Sequence, residues 1–303
     1  MRIRVTVAAV SGALVLSSFA MQSAQAEDNH VPSPKSRAEL VAGLLGDGHA
    51  GSGKQSRAAG PVDEEPPSLG VTFSNVKVAK AIKVGTTKQV TSTVTYTMKH
   101  PARLKITAKN FVTLPILYRG SDDMPDNMAA GDAPATCKAV TSTTAGCTGR
   151  VDFYPAEGWL LNSDAGTWKV SAAAATLDGN EEPIGLDHQK RLGTTLVQRN
   201  STLTVNAAPE PVKKGKKITV TGKLARANWE TNKYAGYTGQ PVKLQFRKKN
   251  ASSYTTVATV KTNNTGELKA TRTAVEDGYW RWSFAGTTTT NAITTAGDFV
   301  DVK

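Results

Sequence analysis

Apolar and polar residues alternate along most of the chain from residue 70 onward. This pattern predicts strands around 71–78, 90–98, 104–108, 114–119, 149–154, 167–177 and 194–198. It returns at 203–205, 218–222, 242–246, 254–260, 268–270, 280–284 and 299–302. A side-chain period of two belongs to a strand with one buried face. Short strands about ten residues apart, with turns such as 122–125 and 178–180 between them, are typical of a β-sandwich.

The first residues have a different pattern. Arg2 and Arg4 precede an apolar run from Val5 to Ala20, and Ala24 and Ala26 supply small residues before Glu27. This is the layout of a cleavable signal peptide over residues 1–26. No cysteine follows for lipid attachment, and no second apolar run of spanning length follows. We therefore expect a secreted, extracellular protein without a transmembrane segment after signal cleavage.

The rest of the chain divides into three segments. Residues 27–67 are rich in Pro, Gly and Ser and contain one short apolar patch, Leu40–Leu45, which predicts a flexible linker. An N-terminal β-sandwich domain follows at 68–199, and a C-terminal basic Ig-like domain at 200–303. The predicted fold class is all-β, with two tandem immunoglobulin-like β-sandwich domains after a signal peptide and a disordered spacer.

The chain contains two cysteines, Cys137 and Cys147. In an exported protein an even pair ten positions apart predicts a disulfide that closes a small loop. A metal site built on two thiolates needs further ligands, and no histidine lies near either cysteine.

Positive charge is concentrated in the last third of the chain. The net charge of the whole chain is +12, and residues 200–303 carry 16 basic and 7 acidic residues, a net charge of +9. Two groups account for half of these basic residues: Lys213, Lys214, Lys216 and Lys217, then Lys243, Arg247, Lys248 and Lys249. A surface of this kind attracts anionic cell-wall or surface polymers and reads no nucleic-acid sequence. The alternative is that the lysines only keep the domain soluble.

Aromatic residues suggest two roles in the same domain. Trp280, Trp282 and Phe284 share one strand face and are predicted to pack in the core. Trp229, Tyr234 and Tyr237 are predicted to lie in a loop between strands (229–237), where they either stack on a sugar ring or plug one end of the sandwich.

Candidate metal and catalytic residues are sparse. Asp122, Asp123 and Asp126 cluster in a Gly/Pro/Asn-containing loop, and carboxylates on a loop suit calcium, although the EF-hand spacing is not met. No other cofactor is expected. No G-x-S-x-G motif and no histidine pair at helical spacing is present, so no enzyme is predicted. A hydrolase whose site is assembled from scattered acids remains an alternative.

Several segments resemble the Ig-like modules of exported actinobacterial proteins. The likeness covers roughly residues 70–303 and is carried by Leu117–Gly120, Asn162–Trp168, Leu203–Asn206, Pro209–Gly215, Ile218–Gly222, Val242–Arg247 and Gly278–Gly286. The resemblance implies architecture and export but no reaction. Together these observations predict a secreted, non-enzymatic protein that associates with anionic or carbohydrate polymers through its C-terminal domain, with a calcium-binding β-sandwich as the first alternative.

Overall fold

The computed structural model describes residues 66–303. The predicted signal peptide at 1–26 and residues 27–65 of the predicted linker lie outside this range. Within residues 66–303, no helix is long and apolar enough to cross a membrane.

Nine strands form the first sandwich, which we call the N-terminal module. They are β1 (Thr72–Lys77), β2 (Ala81–Val84), β3 (Val90–Lys99), β4 (Phe111–Gly120), β5 (Pro125–Ala130), β6 (Thr136–Thr141), β7 (Thr144–Phe153), β8 (Gly166–Leu177) and β9 (Pro183–Arg199). Two short 3-10 turns, Pro155–Glu157 and Asn162–Asp164, connect β7 to β8. One sheet has the order β1-β3-β7-β6 and the other β2-β9-β8-β4-β5.

The core of the N-terminal module lies between these two sheets. Tyr96 and Phe153 enter it from the first sheet, and Trp168 and Val170 from the second, all almost fully buried. The rings of Phe153 and Trp168 meet edge to face with 5.6 Å between their centroids. Alternating inward residues on facing sheets define a β-sandwich.

The predicted disulfide is confirmed. Cys137 and Cys147 are bonded, and they lie directly opposite each other on the antiparallel strands β6 and β7. The bond therefore joins the exposed edge strand β6 to the buried strand β7.

Ten strands form the second sandwich, the C-terminal module. They are β10 (Ser201–Leu203), β11 (Asn206–Ala208), β12 (Lys217–Asn228), β13 (Lys233–Gly236), β14 (Pro241–Lys248), β15 (Thr255–Lys261), β16 (Glu267–Thr273), β17 (Gly278–Phe284), β18 (Ile293–Thr294) and β19 (Asp298–Val300). Strand β12 pairs with β10, β11, β13 and β16 in one sheet. The facing sheet has the order β15-β14-β17, with β18 and β19 both on β17.

The core of the C-terminal module is built around β17. Trp280, Trp282 and Phe284 are buried there with Leu244 and Leu268, as the sequence predicts. The indole nitrogen of Trp282 donates a hydrogen bond of 3.0 Å to the carbonyl of Thr221 on the opposite sheet. Residues 66–303 are therefore all-β and form two tandem sandwiches, which confirms the predicted fold class for this part of the chain.

Two local predictions are wrong. Residues 104–108 form turns and not a strand, although Leu104 and Ile106 still pack against the core. Residues 229–237 are not wholly a loop: β12 extends to Asn228 and forms a hairpin with β13. In both cases local hydrogen bonds determine the backbone conformation. The alternation of apolar and polar side chains does not reveal these bonds.

The two modules share a packed junction. Trp229, on the turn of the β12–β13 hairpin, is fully buried and belongs to the core of the N-terminal module. Its indole nitrogen donates to the carbonyl of Val84, 3.3 Å away, and its backbone N–H donates to the side chain of Asn162. Backbone Arg199 also donates to Thr289 at 2.9 Å. A residue of the C-terminal module thus completes the core of the N-terminal one.

Candidate binding surface of the C-terminal module

The outer face of the sheet β15-β14-β17-β19 carries a row of rings and cations. Along β17, the side chains of Trp280 and Trp282 are buried, while Tyr279 and Arg281 alternate with them and are only half-buried. Arg247 on β14 lies opposite Tyr279, and Phe299 on β19 lies opposite it on the other side. Because strand side chains alternate between faces, these residues share the side turned away from the core.

Rings and cations lie within contact distance of one another along this row. The Arg281 guanidinium lies 3.7 Å from the ring centroid of Tyr254, and the Arg247 guanidinium lies 5.3 Å from the same ring and 4.2 Å from Tyr279. The rings of Tyr279 and Phe299 are 5.1 Å apart. We call this row the cation–ring ladder; its members are Arg281, Tyr254, Arg247, Tyr279, Phe299 and Lys249, whose ammonium lies 5.4 Å from Phe299.

Each cation–ring contact in the ladder lies within the roughly 6 Å at which a cation is attracted by a ring face. A side chain at Gly297 would collide with the hydroxyl of Tyr254, so this glycine leaves room for the ring to lie against the sheet. The ladder is thereby held as an ordered, half-exposed platform.

The two arginines of the ladder carry charge that no acid neutralises among residues 66–303. Arg247 donates to the carbonyl of Ala251 at 2.6 Å, and Arg281 donates to the side-chain oxygen of Gln245 at 2.8 Å. Neither is ion-paired within the described part of the chain. Neutral partners orient a guanidinium but leave its charge available to an anion.

Most of the predicted basic residues lie toward one end of the C-terminal module, and Lys243 lies nearer the other end. Strand β12 begins at Lys217 and pairs there with the end of β16, while β14 ends at Lys248 opposite the start of β17. Backbone Lys214 hydrogen-bonds to Lys303 at 2.7 Å, which ties the turn at 213–217 to the C-terminal residue. The far end of the module thus carries Lys213, Lys214, Lys216 and Lys217 together with Arg247, Lys248 and Lys249, and the junction with the N-terminal module lies at the other end.

These basic residues differ in how far their charge is balanced. Lys213, Lys214, Lys216 and Lys217 are exposed, and none is ion-paired in residues 66–303. Lys248 and Lys249 pair with Glu276 and Asp277 at 3.0 and 3.2 Å. Lys243 is exposed on the same outer face as the ladder, opposite Ser283.

The three aromatic residues predicted at 229–237 do not form one surface. Trp229 is fully buried in the junction, so the prediction that it contacts a ligand is wrong. Tyr237 packs edge to face on Phe284, with the guanidinium of Arg226 at 3.9 Å from its ring. Tyr234 is 40% exposed, and its hydroxyl accepts a hydrogen bond from Asn200 at 2.9 Å. The hairpin plugs the end of the sandwich next to the junction.

The three aspartates of the 122–126 loop do not share a partner: Asp122 and Asp123 contact different basic residues, and Asp126 is exposed. Asp122 binds Lys169 at 2.8 Å and also contacts Arg191 and Tyr118, and the hydrogen bond from Lys169 is the main cause that holds its pKa well below the ordinary value. Asp123 lies 3.6 Å from Lys190, and Asp126 is exposed on β5. Within residues 66–303, no three His, Cys, Asp or Glu residues group as metal ligands. Calcium binding by this loop stays a prediction.

The described histidines do not form a nucleophile–base pair. Nδ1 of His100 lies 3.1 Å from the carbonyl of Pro101, and neither His100 nor His188 bonds to a hydroxyl or carboxylate side chain in residues 66–303. His30 and His49 lie outside the described range.

The sequence did not predict four members of the ladder as binding residues: Tyr254, Tyr279, Arg281 and Phe299. The solvent-facing position of Tyr279 and Arg281 could have been predicted, because they alternate with the buried tryptophans of the same strand. Tyr254 and Phe299 come from distant parts of the chain, and only the sheet order brings them to the row.

Among solved structures, the chain is similar to bacterial fibronectin(III)-like modules and to adhesins. The fibronectin(III)-like modules of Clostridium thermocellum CbhA are 11% identical, with 75% of this chain and 92% of theirs covered at a TM-score of 0.26. The Escherichia coli adhesin FdeC is 14% identical, with 78% and 65% covered and a TM-score of 0.30. The D00-D0 domain of Intimin is 15% identical, with 76% and 99% covered and a TM-score of 0.25. No protein-family model and no curated protein sequence matches the chain. At such low identities and TM-scores, these likenesses say nothing about function.

Proposed function

We propose that this chain is a secreted, non-enzymatic binding protein whose C-terminal module associates with anionic carbohydrate-containing polymers of a cell surface. The observation that carries the proposal is the cation–ring ladder. Its three rings offer faces on which sugar rings stack, and its cations offer partners for the phosphates or carboxylates of the same polymer.

The ladder is suited to an extended ligand. The row has members on β14, β17 and β19 and one residue just before β15. Because neighbouring strands in a sheet are about 4.8 Å apart, it spans several residues of a polymer. The unpaired lysines at 213–217 add a sequence-independent attraction at the far end of the module. Rings then supply contact with the sugars, while the lysines and arginines supply charge.

A binding experiment with one ring removed tests this proposal. The chain from residue 27 to 303 is titrated with a glycerol-phosphate polymer carrying sugar substituents, alongside a neutral glucan. We expect binding to the anionic polymer, and Tyr279→Ala should weaken it about tenfold, equivalent to about 1.4 kcal/mol. Loss of about 60 Å² of apolar contact between the ring and a sugar accounts for this much at about 25 cal/mol per Å².

Tyr234→Ala is the matched control, since Tyr234 is an exposed tyrosine of the same module that does not belong to the ladder. It should leave the affinity unchanged. Equal losses in both variants, or no binding by the unaltered chain even at low salt, would overturn the proposal. The melting temperature of each variant shows whether the fold is retained.

A further inference from the structure

The outer face of the five-stranded sheet in the N-terminal module is apolar and buried. Val112, Leu114 and Ile116 on β4 lie beside Ala173 and Ala175 on β8. Ile116 and both alanines are 0% exposed, and Leu114 is 4% exposed. These side chains face away from the module core, because Trp168, Val170 and the other inward residues of β8 occupy the opposite face.

No layer within residues 66–303 covers this face. Strand β4 is buried without interruption over its first eight residues, which is the pattern of a strand covered on both sides. The four-stranded sheet covers the inner side. Among residues 66–303, the members of the outer cluster come from β4, β5, β8 and β9, all in the same sheet. An apolar surface of this kind needs a covering layer, and the described strands supply none on this side.

Two polar atoms on the same face have no hydrogen-bond partner among the described residues. They are Oγ of Ser171, which lies opposite Ile116, and Nε2 of His188, which lies opposite Ala173. Burial lowers the pKa of His188 to about 4, so its ring is neutral at pH 7. Buried polar atoms are normally paired, so a covering segment with free backbone groups would satisfy both.

The chain enters the described structure at the edge of this face. Backbone Leu186, a member of the outer cluster, donates to the carbonyl of Pro67 at 3.0 Å. The residues before Pro66 therefore start beside the apolar surface.

One segment outside the described range fits this surface. Between residues 27 and 65 the longest apolar run is Leu40–Leu45, and twenty residues separate Leu45 from Pro66. Twenty residues span up to about 66 Å, so this run reaches any point of the sheet. We propose that Leu40–Leu45 docks on the outer face formed by β4 and β8 of its own chain and adds a third layer to the N-terminal module.

Cysteine cross-linking tests the docking. In the chain from residue 27 to 303, Ala173→Cys is combined in turn with Leu40→Cys, Leu44→Cys and Leu45→Cys. Both native cysteines are already bonded to each other, so they do not compete. We expect at least one pair to form a disulfide within a single chain under mild oxidation, and Val62→Cys, outside the apolar run, to form none.

A second measurement leaves the native face intact. Leu44→Asp should lower the melting temperature and speed amide exchange in β4 and β8, whereas Val62→Asp should do neither. Disulfides formed only between two chains would assign the face to a second copy and overturn the proposal. Failure of all three pairs to cross-link, together with unchanged exchange in Leu44→Asp, would also overturn it. Neither result depends on polymer binding by the C-terminal module.

Discussion

Truncation of Trp229 should destabilise the N-terminal module, although the residue belongs to the C-terminal one. Its side chain is 0% exposed and lies in the core cluster that contains Trp168 and Phe153. A buried tryptophan removes about 150–250 Å² from water, which at about 25 cal/mol per Å² corresponds to about 4–6 kcal/mol. Measured truncations of large core aromatics cost about 3–5 kcal/mol. We expect Trp229→Ala to lower the free energy of unfolding by about 3–5 kcal/mol.

Urea unfolding, followed by hydrogen exchange resolved by peptide, measures this effect and assigns it to a module. Protection should fall in β3, β7 and β8, which line the core that Trp229 enters. Tyr234→Ala, on the same hairpin but 40% exposed, is the control and should cost less than about 1 kcal/mol. A loss below about 1 kcal/mol for Trp229→Ala, or a loss confined to the C-terminal module, would refute the packed junction.

Three further predictions concern the N-terminal module. Replacing Cys137 and Cys147 together by alanine should cost about 2–3 kcal/mol, because the bond closes a short loop in the unfolded chain; an unchanged melting temperature would contradict this. Stability should fall as the pH drops from about 6.5 towards 4, because unfolded His188 takes up a proton in that range while the folded residue, with a pKa of about 4, does not. The loss should be on the order of 1–2 kcal/mol after allowance for partial exposure, and His188→Gln should remove it; an equally steep profile in that variant would exclude His188 as the cause. Calcium and EDTA should leave the melting temperature unchanged, because Lys169 and Arg191 already engage Asp122; a rise with calcium that Asp122→Asn abolishes would support the calcium hypothesis instead.

Much of the fold could be predicted from the alternation of apolar and polar residues along the strands. Trp280, Trp282 and Phe284 reveal β17 and its buried face because the period of two is unbroken there. At 104–108 the same period misleads, since Leu104 and Ile106 reach the core from turns. Trp229 could not be placed from sequence, because its partner Val84 lies 145 residues earlier in the chain.

The candidate site was predictable in part. Alternation along β14 places Lys243 and Arg247 on the solvent side, as the structure has them. The ladder depends on the neighbours of Arg247, and these come from β17, from β19 and from the residue before β15. The alternation pattern places side chains on the two faces of a single strand. It does not give the order of strands in the sheet, and the ladder depends on that order.

The salt dependence of polymer binding tests the central proposal most directly. The dissociation constant for the glycerol-phosphate polymer is measured at several salt concentrations for the unaltered chain and for the double variant Arg247→Ala/Arg281→Ala. If the ladder binds the anionic groups, affinity falls as salt rises, and the variant shows a shallower slope because fewer counterions are released. An affinity that is independent of salt, or identical slopes for both proteins, would contradict the proposal that the arginines of the ladder bind the polymer.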